Sequence, residues 1–242
     1  MKKFLAFSLC LLLLLPLFAC SAGGGAQDLA AAAKATREAG SFVFRFEHAY
    51  TALLELTGEP VQTEFLDKTS LSIAGLPDAV RASGVSARLA SGVSLSETSL
   101  YIADGFAYSR TVDENSTLTG KEALGEDFSG STPLYLALYP LSLAANDAFA
   151  GRKISLSKDG NLSYYSVPLL LSELQAIQRS RLGFAQDGET GLTLTYTVEN
   201  GRVVEAAVSG ERGGQSVSYR FRYAAIGETV SITPFEGWAD IS

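Results

Sequence analysis

GLTLTYTVENGRVVEAAVSGERGGQSVSYRFRYAA, residues 191–225, decides the fold. Apolar and polar residues alternate through it, the period of a half-buried strand. Leu192, Leu194, Tyr196 and Val198 fall on one face, and Thr193, Thr195 and Thr197 on the other. Tyr219, Phe221 and Tyr223 oppose Ser218, Arg220 and Arg222 in the same way. ENG and RGG supply residues that accept positive φ in tight turns. Three strands therefore follow one another as an antiparallel meander with one greasy face and one polar face.

The same alternation appears far upstream in SFVFRFEHAY, residues 41–50, where Phe42, Phe44 and Phe46 share a face. Two further strands are predicted through 50–58 and 61–75, and more between 85 and 111. Asp104 and Gly105 mark a hairpin within SLYIADGFAYSR, and Asp159 and Gly160 mark another within KISLSKDGNLSYYSV. The polar stretch 111–131 reads as a loop, and 76–82 as one helical turn started by Pro77. Three helices are expected. The first covers 28–39, with Asp28 in its first turn and Gly40 past its end. The second covers 132–149, with Thr132 as N-cap and a kink or split at Pro140. The third covers 166–183, started by Pro168, with Leu170, Leu174 and Ile177 along one face. No internal repeat or linker divides residues 28–242, so they form one domain. The expected class is α+β: a strongly curved antiparallel sheet, an incomplete β-barrel, with helices packed on its concave side.

The amino terminus reads differently. Lys2 and Lys3 precede an apolar run over 4–18, shorter than the roughly 20 residues that span a bilayer, which is the pattern of a secretory signal. It ends in Leu17, Phe18, Ala19 and Cys20. That tetrapeptide resembles the lipobox of bacterial lipoproteins. The resemblance implies cleavage after Ala19 and a diacylglycerol on the Cys20 sulfur, with 1–19 as signal peptide and 20–27 as a small-residue tether. Each buried methylene contributes about 0.8 kcal/mol, so two or three acyl chains would hold the domain at the cell envelope. The expected location is the outer face of the plasma membrane, or an outer membrane where the cell has one.

Composition removes several functions. The formal charge is −7, and loss of residues 1–19 takes Lys2 and Lys3 with it, so nucleic acid is a poor partner. The two cysteines, Cys10 and Cys20, both lie in the leader, and His48 is the single histidine. A disulfide framework and a thiolate or multi-histidine metal site are thereby excluded. Neither a phosphate-cradling glycine loop nor a G-x-S-x-G elbow is present, so no cofactor and no catalytic residue is assigned.

The order of elements is itself informative. A short helix, a Phe-x-Phe-x-Phe strand, hairpins, inserted helices and a final meander running into IGETVSITPFEGW resemble the half-barrel lipid-carrier proteins of bacterial envelopes. These include lipoprotein carriers and the lipoglycan-binding lipoproteins of mycobacteria. The resemblance implies an apolar cavity for acyl chains. On that reading Phe42, Phe44, Phe46, Tyr196, Tyr219, Phe221 and Tyr223 line a ligand pocket in a membrane-anchored, non-catalytic protein. Two other readings stay open. In one, these residues make a filled core and the sheet is a scaffold for another envelope protein. In the other, His48 serves as general base of an envelope hydrolase.

Overall fold

The computed structural model describes residues 24–56, 59–125, 128, 130–146, 149–170, 191–212 and 215–241. The strands are β1 (Ser41–Leu56), β2 (Glu59–Ala74), β3 (Arg81–Ala90), β4 (Val93–Ala103), β5 (Phe106–Asp113), β6 (Thr117–Ala123), β7 (Ser155–Asp159), β8 (Leu162–Leu170), β9 (Gly191–Glu199), β10 (Arg202–Arg212) and β11 (Gln215–Ala224). Among the described residues two α-helices accompany them, α1 (Gly24–Arg37) and α2 (Thr132–Ala145). The strands form one antiparallel sheet in the order β6-β5-β4-β3-β2-β1-β11-β10-β9-β8-β7. The chain walks outward from β1 to one edge at β6, reappears at the opposite edge as β7, and returns to lie beside its own first strand. Connecting the two edges requires a crossing of the sheet, and α2, about 21 Å long at 1.5 Å per residue, lies in that crossing.

Register fixes which side chains face this helix. Phe44 pairs with Tyr223 and Phe46 with Phe221 across β1 and β11; on the other side Phe42 pairs with Ile73 and Phe44 with Leu71. Directly opposed residues share a face, so the expected aromatic sides of the first and last strands merge into one wall. All are buried, and so are Leu192, Leu194, Tyr196 and Val198. The sheet wraps α2, which contacts β1 and β2 and receives side-chain hydrogen bonds from β9 and β11. Leu134, Leu136, Leu138 and Leu141 are all buried, while Tyr135, Ser142 and Leu143 are half-buried, so most of the helix surface is covered, in keeping with its apolar sequence. Gly84 permits the tight approach of β3 to β2, since a Cβ there would collide with the Ser70 carbonyl oxygen and Leu71. The result is the expected α+β class: an open, curved sheet with its helices on the concave side.

Helix α1 packs on α2 and on β10. Thr36, fully buried, ties it down: its Oγ1 donates to Ala32 O (2.9 Å) and accepts from the Val203 amide (2.9 Å). That amide lies where β10 shifts register between Val203 and Glu205, so the threonine meets a bulge donor that the ladder leaves free. Beyond β11 the chain folds back over the outer face. Thr233 donates its amide to Ser83 Oγ (3.0 Å), and Trp238 sits against Tyr101 and Tyr108 at centroid distances of 4.7 and 5.4 Å.

Several expectations need correction. The first helix begins at Gly24, so 24–27 are helical rather than tether and Asp28 is outside the first turn. Strand β1 runs unbroken through 50–56. Residues 76–79 make a turn, and the sheet resumes at Arg81. Part of the expected loop 111–131 is β6, a strand with a polar, exposed sequence because it lies at the edge. Ser131, not Thr132, caps α2, accepting from the Leu134 amide, and the helix continues through Pro140. An interior proline costs about 3 kcal/mol; here burial of most of the helix surface offsets it. Residues 166–170 belong to β8, with Pro168 opposite Thr193, so the expected third helix does not start there; residues 171–183 lie outside the described residues, as do 1–23 with Cys20. Among the described residues no helix is long and apolar enough to cross a membrane.

Replacing Gly84 by alanine should destabilise the protein by about 1–3 kcal/mol, the usual cost of overpacking. Urea unfolding measures it, and an unchanged midpoint would mean that β2 and β3 do not approach as closely as described.

Candidate functional site

The concave face is chemically divided. On the β8–β11 limb and β1 it is aromatic and aliphatic. Phe42 meets Tyr223 edge-on (5.5 Å), Phe46 meets Phe221 (5.3 Å), and Phe149 meets Tyr196 (6.0 Å). All seven aromatic residues singled out in the sequence lie in this wall and none is more than 6% exposed. They are brought together as a packed layer against one another and α2. Buried tyrosine hydroxyls need partners, and two find them on the crossing helix. Tyr223 donates to Ala137 O (3.1 Å) and Tyr196 to Pro140 O (3.2 Å), and burial pushes both phenols well above their ordinary pKa.

On the β2–β5 limb the same face is apolar at one end, where Leu71, Ile73, Leu100 and Ile102 are buried, and carries hydroxyls and charge toward the other. Thr69 and Ser86 share a hydrogen bond (2.9 Å), and farther along the same row Thr98 and Thr111 share another (2.8 Å). In the next row Arg88 donates to both Asp67 oxygens (2.8 and 3.1 Å). His48 Nδ1 stands 3.9 Å from Asp67 Oδ2, an electrostatic contact rather than a hydrogen bond. The imidazole is flanked by two rings, Tyr219 at 4.2 Å and Tyr50 at 4.7 Å, and Tyr50 stacks on Phe65 at 5.2 Å. Burial pulls the Asp67 carboxyl up, but His48, Arg88 and the guanidinium charge together outweigh it and hold it below its usual range. The same pairing raises Arg88. A cleft of about 530 Å³ opens at this end of β1 and β2, lined in part by Tyr50, Phe65, Leu66 and the turn at Ser91 and Gly92.

One polar atom has no counterpart. Tyr139, on α2, is 5% exposed, and its hydroxyl has no hydrogen-bond partner among the described residues. Its ring stacks on Tyr135 (5.7 Å, 17°), and burial raises its pKa far above the ordinary value. An unmet buried hydroxyl costs about 1–3 kcal/mol.

Sequence reasoning found the wall but not the row of Asp67 and Arg88, the hydroxyl pairs, or Tyr139. Each requires register or helix placement; the available signal was the inward alternation of Asp67, Thr69 and Leu71 along β2. His48 lies beside the wall with a carboxylate and two rings as its neighbours. Among the described residues no group of three or more metal-ligating side chains is assembled.

No protein-family model matches the chain, and no curated protein does. Solved structures similar to it include LprF from Mycobacterium bovis, at 13% identity and a TM-score of 0.48, covering 88% of this chain and 98% of that one. A DUF1329 family protein from Desulfovibrio piger gives 9% identity and a TM-score of 0.30 over 86% and 93% of the two chains. A LolA superfamily protein from Nitrosomonas europaea gives 10% and 0.20 over 81% and 90%.

Asp67 is held below its ordinary pKa of 3.8, so its ion pair contributes stability above that value and loses it as the pH falls through the lowered one. Asp67→Asn should therefore be less stable than the parent at neutral pH, with the gap narrowing in acid. Thermal unfolding across a pH series measures this, and a gap that does not change with pH would deny the pairing any role.

Proposed function

We propose that this chain is a membrane-anchored, non-catalytic envelope protein that binds a lipid or another hydrophobic molecule in its concave face. The observation that carries the reading is the division of that face. An apolar wall of aromatic and aliphatic side chains suits hydrocarbon, and the end of the β2–β5 limb that carries hydroxyls and a charged pair suits the polar end of the same molecule. An amphiphile has this polarity pattern; an apolar core alone has no use for the Asp67–Arg88 row.

Phe42, Phe44, Phe46, Tyr196, Tyr219, Phe221 and Tyr223 form the apolar wall, and since they are packed against one another and α2, acyl chains reach them by displacing part of that packing. The Tyr139 hydroxyl, buried without an acceptor among the described residues, supplies a donor for a carbonyl or ester oxygen of the bound molecule, removing its desolvation cost when the site is filled. Cys20, in its lipobox-like setting, carries the anchor, and the reach from Cys20 to the start of α1 at Gly24 keeps the domain close to the bilayer. His48, flanked by rings and facing a carboxylate already bound to Arg88, orders that row rather than activating a nucleophile.

Native mass spectrometry of protein extracted from membranes should show an amphiphile adduct; a bare mass together with no uptake of a fluorescent fatty acid would overturn the binding role. Cys20→Ser should move the protein from the membrane to the soluble fraction, and continued membrane association would refute the anchor. Tyr139→Phe should leave the delipidated protein unchanged or more stable by up to about 1–2 kcal/mol while weakening lipid retention. A loss of stability in the delipidated variant would mean that the hydroxyl already has a protein partner.

A further inference from the structure

The outer face of the sheet carries an arrangement that the concave-face reading does not use. Arg45 on β1 and Arg222 on β11 are directly paired across the seam, and both side chains point outward. Like charges placed opposite each other destabilise a strand pair. Arg222 is compensated: its Nε lies 3.0 Å from Glu205 Oε2, and its Nη1 lies 3.9 Å from Glu47 Oε2. Arg220 shares Glu205 at 3.9 Å. Arg45 is exposed and, among the described residues, has neither an ion pair nor a hydrogen bond. Lys68 stands opposite Glu47 on β2, adding another positive charge nearby. The concentration of cations runs against the formal charge of the whole chain, −7.

These residues do not lie on a flat surface. The register shift in β10 and the neighbouring strands leave a cleft of about 480 Å³, lined by Arg45, Arg222, Thr197, Tyr164, Leu162 and Val43 among others. Its size is within the range of small-molecule sites. One side presents two guanidiniums, a hydroxyl and the Glu205 carboxylate, which is paired with Arg222, and the other presents an aromatic ring and aliphatic groups.

We infer that this cleft binds an organic phosphate, with Arg45 as its principal ligand, Arg222 and Thr197 as supporting donors, and Tyr164, Leu162 and Val43 against the organic body. Guanidinium forks match phosphate oxygens with paired N–H donors, and a bound anion relieves the opposition between Arg45 and Arg222. Glu205 holds Arg222 at the wall, leaving Arg45 free to turn toward the ligand. The phosphate can belong to a phospholipid headgroup or to a free phosphorylated compound. The site is on the opposite face from the aromatic wall, so it stands or falls independently of what the concave side holds.

The test is calorimetric titration of the full-length chain with phenyl phosphate, under matched ionic strength. Saturable binding is expected, weakened by about tenfold or more in Arg45→Ala and Arg45→Gln and unaltered in Arg110→Ala, an exposed arginine elsewhere on the outer face. Circular dichroism checks that the variants keep their sheet. No saturable binding, or equal binding by both Arg45 variants, overturns the site. Vesicle flotation in a Cys20→Ser background separates the sources. Arg45-dependent recovery with phosphatidylglycerol but not phosphatidylcholine vesicles assigns the headgroup, whereas phenyl phosphate binding without such recovery assigns a free compound.

Discussion

The antiparallel seam between β1 and β11 is the contact on which everything else depends. It joins the first strand to the last, turning two meanders that would each be an open, half-covered sheet into one surface with a common interior. Its register runs from Val43 opposite Ala224 to Ala49 opposite Ser218. Along it the rings of Phe44, Phe46, Phe221 and Tyr223 approach one another at 5.3–6.5 Å, and each such pair contributes about 0.5–1.5 kcal/mol beyond its buried area. A slip of one residue would send every side chain to the opposite face. Arg45, Glu47 and Arg222 would then enter the core, at a cost no rearrangement of the rings could offset. Register is therefore set as much by what must stay outside as by what packs inside.

From that seam the rest follows by geometry. Because the strands run outward to β6 and begin again at β7, the connection has to cross the interior, and only an apolar element can do so. Helix α2 meets the requirement, and its carbonyls at Ala137 and Pro140 become acceptors for Tyr223 and Tyr196. The helix and the aromatic wall thus define one limb of the interior. The β2–β5 limb adds Leu71, Ile73, Leu100 and Ile102 to the same apolar interior at one end and keeps Asp67, Arg88 and the threonine and serine pairs at the other. The Asp67–Arg88 pair is partly exposed and worth little to stability in isolation.

The parts of this arrangement that sequence could show are those governed by local alternation. Tyr219, Phe221 and Tyr223 against Arg220 and Arg222 announced both their strand and its faces, and Asn200 with Gly201 takes the paired positive φ values, 50° and 72°, that its turn requires. Where local signal and tertiary setting disagreed, the setting won. Pro168, Leu169 and Leu170 mimic a helix start, yet they pair with Thr193, Leu192 and Gly191 because β9 offers a ladder. Thr117 to Ala123 carries no apolar stripe, since an edge strand need not bury one. Pro140 signals a break, yet the helix, buried over most of its surface, runs through it. The division of the concave face was invisible for a different reason: Asp67, Arg88 and Thr98 lie on three strands, and only register brings them to one side.

The most direct measurement is nuclear magnetic resonance of the protein loaded with an amphiphile labelled separately in its chain and its headgroup. Chain signals should show contacts with the limb that carries Leu192, Leu194 and Tyr196, and headgroup signals with the limb that carries Thr98, Asp67 and Arg88. Contacts confined to the outer face, or a chain seated against the hydroxyl limb, would contradict a concave face built for a molecule with two unlike ends.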